Sequence, residues 1–242
     1  MLSSAFPFAL PQELAARGCA TLPGLYTAAE VSAVLACIER APAAGPAFRR
    51  SQDVFAIRNL LGEVPGLWPL LDTPALRQAL ARLFPAGYRL TKGIYFDKPA
   101  NSNWLVAWHQ DLMINVSQRA ELPGFGPWTS KAGWVAVQPP AAVLEQTVTV
   151  RLHLDDCDAT NGALRVVPGS HQWGVVPAET IATHTAAATV CAVPAGGVLL
   201  MKPLLLHASH RSTSARPRRV VHLEFSAAEL PAGLAWREGF AV

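Results

Sequence analysis

The sequence predicts a mainly β protein of one domain, with helices gathered in its first third. Three observations carry this. Two stretches before residue 87 show helical apolar spacing. From Tyr88 onward, short β-rich runs alternate with Gly, Pro, Asn and Asp. No internal repeat or low-complexity linker divides the 242 residues, a length that can enclose one sizeable core.

The first helical stretch is "TAAEVSAVLACIER". Thr27 followed three residues later by Glu30 forms a capping pattern, and Val31, Val34, Leu35 and Ile38 fall on one face. The second, "DTPALRQALARLF", has Pro74 in its first turn and Leu76, Leu80 and Leu83 at helical spacing. Residues 41–57 show no clear pattern. Residues 1–87 therefore read as a mainly helical buttress and residues 88–226 as the β core. That core contains "YRLTKGIYFDK", "GWVAVQPP", "TVTVRLHLDD", "ALRVVPGSH", "GGVLLMKPLLLHASH" and "RVVHLEFS". Many brief strands imply a sandwich or barrel. In "TVTVRLHLDD", alternation puts Thr149, Arg151, His153 and Asp155 on one face and Val150, Leu152 and Leu154 on the other.

Bulk composition narrows the function. With 20 Lys+Arg against 17 Asp+Glu the formal charge is +3, too weak a balance to imply nucleic acid or membrane as partner. A small-molecule substrate is the expectation. No stretch reaches the ~18 apolar residues needed to cross a bilayer, and "MLSSAFPFALPQELAARG" has no basic leader. Cys19, Cys37, Cys157 and Cys191 are scattered without a CxxC, which reads as reduced thiols. The expected location is cytoplasmic; the oligomeric state is not legible.

The chemistry starts at "AWHQDLM". Residues two apart on a strand share a face, so His109 and Asp111 would project together from an apolar run. A third ligand would complete two histidines and one carboxylate, the facial set that holds Fe(II). His207 ends the apolar run "GGVLLMKPLLLH" and is the best candidate; His210 is its rival. His184 lies in a weakly patterned polar segment and His171 reads as structural.

Taken together, "WHQD" at 108–111, "DATNGALRVVPGSH" at 158–171 and "HASHRSTSARPRR" at 207–219 resemble the phytanoyl-CoA dioxygenase family of Fe(II)- and 2-oxoglutarate-dependent oxygenases. The resemblance implies a cupin-like double-stranded β-helix, or jelly roll, with helices against one sheet. It implies Fe(II) at His109, Asp111 and His207, with 2-oxoglutarate and O2 as cosubstrates. Arg218, eleven residues beyond His207, matches the arginine that pairs with the far carboxylate of 2-oxoglutarate, and Ser209 matches a second contact to it. A guanidinium fork suits that task because it gives a carboxylate two charge-assisted hydrogen bonds. Arg219 is the alternative, since Arg218 and Arg219 must point to opposite faces. The implied reaction couples decarboxylation of 2-oxoglutarate to succinate with hydroxylation of a small or medium organic molecule. Asp111 fills a position that related halogenases leave to chloride, which disfavours halogenation.

Other residues are weighed on position. An arginine at 151 departs from the aromatic or aliphatic residue of many members, and hints at an anionic group in substrate or cosubstrate; an exposed Arg151–Asp155 pair is the alternative. His153 shares its strand face. Lys92 is a candidate for cofactor binding and Tyr95 for substrate. Three residues separate them, so only one should reach the cavity unless Gly93 carries a bulge. Lys98-Pro99 reads as a turn. Residues 120–140 read as a long irregular insertion that could place Trp128 and Trp134 over a substrate. Asn161-Gly162 and Pro168-Gly169 read as tight turns. Two other readings stay open: a jelly-roll binding protein without iron, and a zinc hydrolase using the same ligands.

Overall fold

A computed structural model describes residues 9–41, 47–50, 55–98, 105–131, 134–238 and 240–241. The helices are α1 (Leu10–Arg17), α2 (Ala28–Glu39), α3 (Leu60–Glu63), α4 (Trp68–Leu71), α5 (Pro74–Leu83) and α6 (Ala141–Glu145). The strands before the cavity-forming core are β1 (Cys19–Leu22), β2 (Phe48–Arg50) and β3 (Phe55–Arg58). They are followed by β4 (Arg89–Lys98), β5 (Val106–His109), β6 (Ile114–Val116), β7 (Trp128–Lys131), β8 (Trp134–Val137) and β9 (Thr147–His153). The last are β10 (Leu164–Val166), β11 (Thr189–Val190), β12 (Val198–Met201), β13 (His207–Ser209), β14 (Arg218–Ser226) and β15 (Phe240–Ala241).

The capping signal at α2 is real. Thr27 Oγ1 accepts the Glu30 backbone N–H at 3.3 Å, and Glu30 Oε2 accepts the Thr27 N–H at 2.7 Å. In α5, Thr73 Oγ1 accepts from Leu76 N at 3.2 Å ahead of the helix that Pro74 opens. The apolar stripes these caps orient, Val31, Val34 and Ile38 on α2 and Leu76, Ala79 and Leu80 on α5, are buried. They share one core with Val148, Val150 and Leu152 of β9 and with Val221, Leu223 and Phe225 of β14. Each such side chain withdrawn from water contributes roughly 2 kcal/mol, which fixes the helices on that face of the sheet.

That sheet is antiparallel, in the order β1-β12-β9-β14-β4-β3-β2, with β15 pairing β4. A second sheet runs β11-β10-β13-β5, and the two form a jelly roll that is not closed into a barrel. Among the described residues before 88, α1 to α5 are joined by three strands of the large sheet, β1, β2 and β3. Residues 120–140 are not irregular throughout: β7 pairs with β8, and β8 with β6, in a third sheet. Trp128, Val135 and Val137 share a core with Ile114, Val116 and Leu144, and this core outweighs the turn signals that suggested a loop. No helix of the described residues is long and apolar enough to cross a membrane.

Register decides what the inner face presents. Lys98, Phe96, Ile94 and Lys92 of β4 stand opposite Arg218, Val220, His222 and Glu224 of β14. Val220, His222 and Glu224 in turn pair with His153, Arg151 and Thr149 of β9. Charged side chains on this face look away from the helices, toward the second sheet.

Candidate active site

A cavity of about 670 Å³ opens between the two sheets, and His109, Asp111 and His207 line it. His109 ends β5 and His207 begins β13, where the two are register partners. Asp111 lies just beyond the strand, its backbone N–H donating to Pro203 O at 2.9 Å. Asp111 Oδ1 is 3.7 Å from His109 Nε2, and its Oδ2 is 3.6 Å from His207 Nε2. One donor atom from each of the three lies within 4.8 Å of the others. Each histidine also has its Nδ1 at a backbone carbonyl two residues back: His109 at Ala107 O, 2.8 Å, and His207 at Leu205 O, 2.9 Å. An Nδ1–H held this way leaves the Nε2 lone pair facing Asp111, the tautomer a metal ion needs. This donor set fits Fe(II).

Exposure is uneven around the triad. The His207 side chain is 4% exposed, those of Asp111 and His109 26% and 39%. The site is backed by protein at His207 and open at His109, which leaves room for exogenous ligands. Burial lowers the His207 imidazole to about 4, against the opposing pull of Asp111. Burial alone would raise the Asp111 carboxyl, but His207, His222 and His109 outweigh it and hold the group well below the usual carboxylate range. An ionised Asp111 beside a buried His207 that stays neutral is ready for metal at neutral pH.

Two residues whose roles the sequence did not disclose hold these ligands in place. Buried Gln110 donates to Leu204 O at 2.6 Å and Gly174 O at 2.8 Å, and accepts from Val176 N at 2.8 Å. The residue between the two ligands thus ties β5 to the segments around 174 and 204. Ser170 Oγ accepts from Leu206 N at 2.8 Å, fixing the backbone just before His207. The only outward signal was a glutamine and a serine set within apolar runs.

Beside the triad are buried donors without partners. Arg218 is 6% exposed, and its Nε and Nη1 have no hydrogen-bond partner; nor have Ser209 Oγ or Arg151 Nε. Unpaired buried guanidinium groups are costly, so an anion is called for. Arg219 points to the other face, where it grips Asp155 through Nε and Nη2 at 2.9 and 2.7 Å. Strand alternation therefore gives Arg218 the cavity and Arg219 an outer ion pair. Arg151 does not pair with Asp155; its Nη1 meets His222 Nδ1 at 2.8 Å. His222 Nε2 lies 3.2 Å from Glu224 Oε1, which also accepts from Lys92 Nζ at 2.7 Å. Burial, with Arg218 nearby, lowers Arg151 to about 10.

The remaining expectations divide. Lys92 lines the cavity. Tyr95 does not: it is buried in the helix-side core, because the bulge in β4 falls at the Glu224/Phe225 step and not at Gly93, leaving Lys92 and Tyr95 on opposite faces. Trp128 and Trp134 do not line the cavity either; they belong to the third sheet, beneath Arg119 and Arg237 at 5.8 and 4.1 Å from the ring centroids. His153 is buried on the inner face, yet it is not among the lining residues and neither ring nitrogen has a partner. His210 is exposed and meets Arg165 Nη1 at 2.6 Å, so it is no rival to His207. His171 anchors α1 through Ala15 O at 3.0 Å, and His184 is exposed. Pro99 lies outside the described residues. Lys98 donates to His210 O at 2.7 Å, and burial followed by Arg218 lowers its ammonium to about 8. Asn161 caps the segment that leads to Arg218, reaching Asp158 N, Asp156 O and Pro217 O.

Two imidazoles and a carboxylate on adjoining strands of a jelly roll, with unpaired guanidinium groups beside them, define the class of non-haem oxygenases that use 2-oxoglutarate. The chain belongs to the phytanoyl-CoA dioxygenase family, whose model, Phytanoyl-CoA dioxygenase (PhyH), matches residues 15–220. Its fold is shared by AviO1 from Streptomyces viridochromogenes Tue57 at 18% identity, covering 95% of this chain and 98% of that one, TM-score 0.68. HygX from Streptomyces hygroscopicus, solved with nickel and 2-oxoglutarate bound, aligns at 17% identity over 92% of this chain and 87% of its own, TM-score 0.65. SnoK, a non-haem α-ketoglutarate-dependent carbocyclase from nogalamycin biosynthesis, aligns at 17% identity over 96% and 87%, TM-score 0.65. No curated protein matches the chain significantly.

Proposed function

We propose that the protein is a cytoplasmic Fe(II)/2-oxoglutarate-dependent dioxygenase that hydroxylates a small or medium organic molecule. The carrying observation is the convergence of three donor atoms within 4.8 Å, with both histidine tautomers set for coordination. When bound, Fe(II) and 2-oxoglutarate supply an O2-dependent oxidation that releases succinate and CO2.

The chain's own groups bind and orient. His109, Asp111 and His207 hold the metal and leave its remaining positions to cosubstrate and O2. Arg218 and Ser209, both buried with unpaired polar atoms, receive the far carboxylate of 2-oxoglutarate. Arg151 would offset part of the cosubstrate's negative charge, and His222 and Glu224 hold its guanidinium in place. Lys92 spends two of its three donors on Met113 O and Glu224 and turns the third to the cavity. The sheet walls shield Arg151, Ser209 and Arg218 from bulk water, so their contacts act in a low-dielectric site. The test is succinate release from 2-oxoglutarate in the presence of Fe(II) and O2. The reading requires turnover by the native protein that disappears when Asp111 is replaced by Ala.

A further inference from the structure

We propose that the substrate is itself an anion, a carboxylate or phosphate monoester on a compact apolar body, whose charge is received by Arg58 and Arg211. The inference rests on the 2-oxoglutarate-dependent reading above and deepens it.

The first argument is charge balance. Arg58, Lys92, Lys98, Arg151, Arg211 and Arg218 line the cavity, against the acids Asp97, Asp111 and Glu224. Two of the three acids already have partners: Glu224 takes Lys92 and Asp111 faces the two histidines, while Asp97 is the register partner of Arg219, whose side chain lies on the outer face. Among the described residues the lining thus carries a surplus of three positive charges. A ferrous ion adds two and the 2-oxoglutarate dianion removes two, so the surplus survives cosubstrate binding. A neutral substrate would leave that surplus to be offset by solvent and salt alone at the cavity mouth.

The second argument is partnering. Outside the cavity, Arg77 pairs with Asp72, Arg119 with Glu121, Arg216 with Asp158 and Arg219 with Asp155. None of the four cavity arginines pairs with a carboxylate among the described residues. Arg151 and Arg218 are buried and serve the cosubstrate. Arg58 and Arg211 are exposed, and they come one from each side: Arg58 ends β3 on the large sheet, and Arg211 follows β13 on the small one. Being both exposed and cavity-lining, they stand where the cavity meets solvent. The same lining includes apolar Ile94, Phe96, Val106 and Leu164, which asks for a hydrophobic body attached to the charged group.

Calorimetric titration of the Ni(II)- and 2-oxoglutarate-loaded protein with 3-phenylpropanoate, phenyl phosphate and neutral 3-phenylpropanamide tests this. At least one anion should bind about tenfold or more tightly than the amide, less so at high salt. That preference should fall by about fivefold or more in the Arg58→Gln/Arg211→Gln double variant, while its affinity for 2-oxoglutarate stays within about twofold of the parent. The proposal is overturned if the amide binds as well as both anions, or if the double variant keeps the full preference. Which anion wins separates a carboxylate from a phosphate substrate. Failure of the metal-loaded parent to bind 2-oxoglutarate would instead overturn the oxygenase reading, and this inference with it.

Discussion

His109 and His207 stand opposite each other where β5 pairs with β13, their ring centroids 4.2 Å apart and each Nδ1 at the carbonyl of the residue two positions before it. The same backbone device thus sets both imidazoles, and the carboxylate of Asp111 lies within 3.7 Å of both Nε2 atoms. Asp111→Asn keeps the shape and removes the charge. Losing even an outer partner of a metal ligand costs about 10–100-fold in affinity, so this change should weaken Ni(II) or Fe(II) binding by about 100-fold or more, read by calorimetry.

Arg218 and Arg219 are neighbours with opposite duties. Removing a charge-assisted pair costs about 1.5–3 kcal/mol, so Arg218→Gln should raise the KM for 2-oxoglutarate about 10–100-fold. Arg219→Gln should leave that KM within about twofold, because its guanidinium is engaged with Asp155 on the outer face. Steady-state kinetics on the two variants checks the division.

Gln110 makes three hydrogen bonds from a buried position. Gln110→Ala removes them and strands a buried N–H and two carbonyls, for a loss of about 3 kcal/mol in denaturant unfolding. Metal affinity should fall as well, since the same contacts hold the backbone between His109 and Asp111.

His153 makes stability depend on pH in a definite direction. Burial, reinforced by Arg151 and Arg218, lowers its imidazole from 6.5 to about 3. The unfolded chain therefore takes up a proton below pH 6.5 that the folded chain refuses until about pH 3, and stability falls as pH drops through that window. His153→Leu removes this uptake. Urea unfolding across the window should show a shallower decline for the variant, by up to about one proton. At neutral pH the variant should be at least as stable as the parent, because two unpartnered ring nitrogens leave the core.

Gly162 holds φ at +80°, and a Cβ there would lie 2.8 Å from both His210 O and Lys98 Nζ. Gly162→Ala should cost more than about 1 kcal/mol, seen as a lower Tm. Binding of 2-oxoglutarate should weaken too, because neighbouring Asn161 accepts from Asp158 N and donates to Pro217 O, next to Arg218.

What the sequence disclosed follows from the reach of local rules. The period of two along a strand put His109 with Asp111 and separated Arg218 from Arg219, and turn residues framed the strands. Thr27 and Glu30 announced a helix start because both halves of the cap lie within four residues. His207 stands out as the histidine that ends an apolar run and matches the family motif, but only the β5–β13 pairing joins it to a strand about a hundred residues away. Tyr95 and the two tryptophans were misplaced for the opposite reason: an aromatic residue near a motif says nothing of which sheet or face claims it. Trp128 and Trp134 went to a third sheet that only its completed pairing with β6 makes stable. Arg58 and Arg211 reach the cavity through strand pairing and a post-strand turn that leave no trace in spacing. Gln110 stands within the motif, but its role depends on carbonyls at 174 and 204.

The central claim is that His109, Asp111 and His207 hold one ferrous ion to which 2-oxoglutarate adds. Anaerobic addition of 2-oxoglutarate to the Fe(II)-loaded protein, followed by visible absorption, tests it most directly. The account predicts a metal-to-ligand charge-transfer band that saturates with one cosubstrate per chain and is missing in His207→Ala. A native protein that binds no ferrous ion, or a band that persists undiminished in that variant, would contradict it.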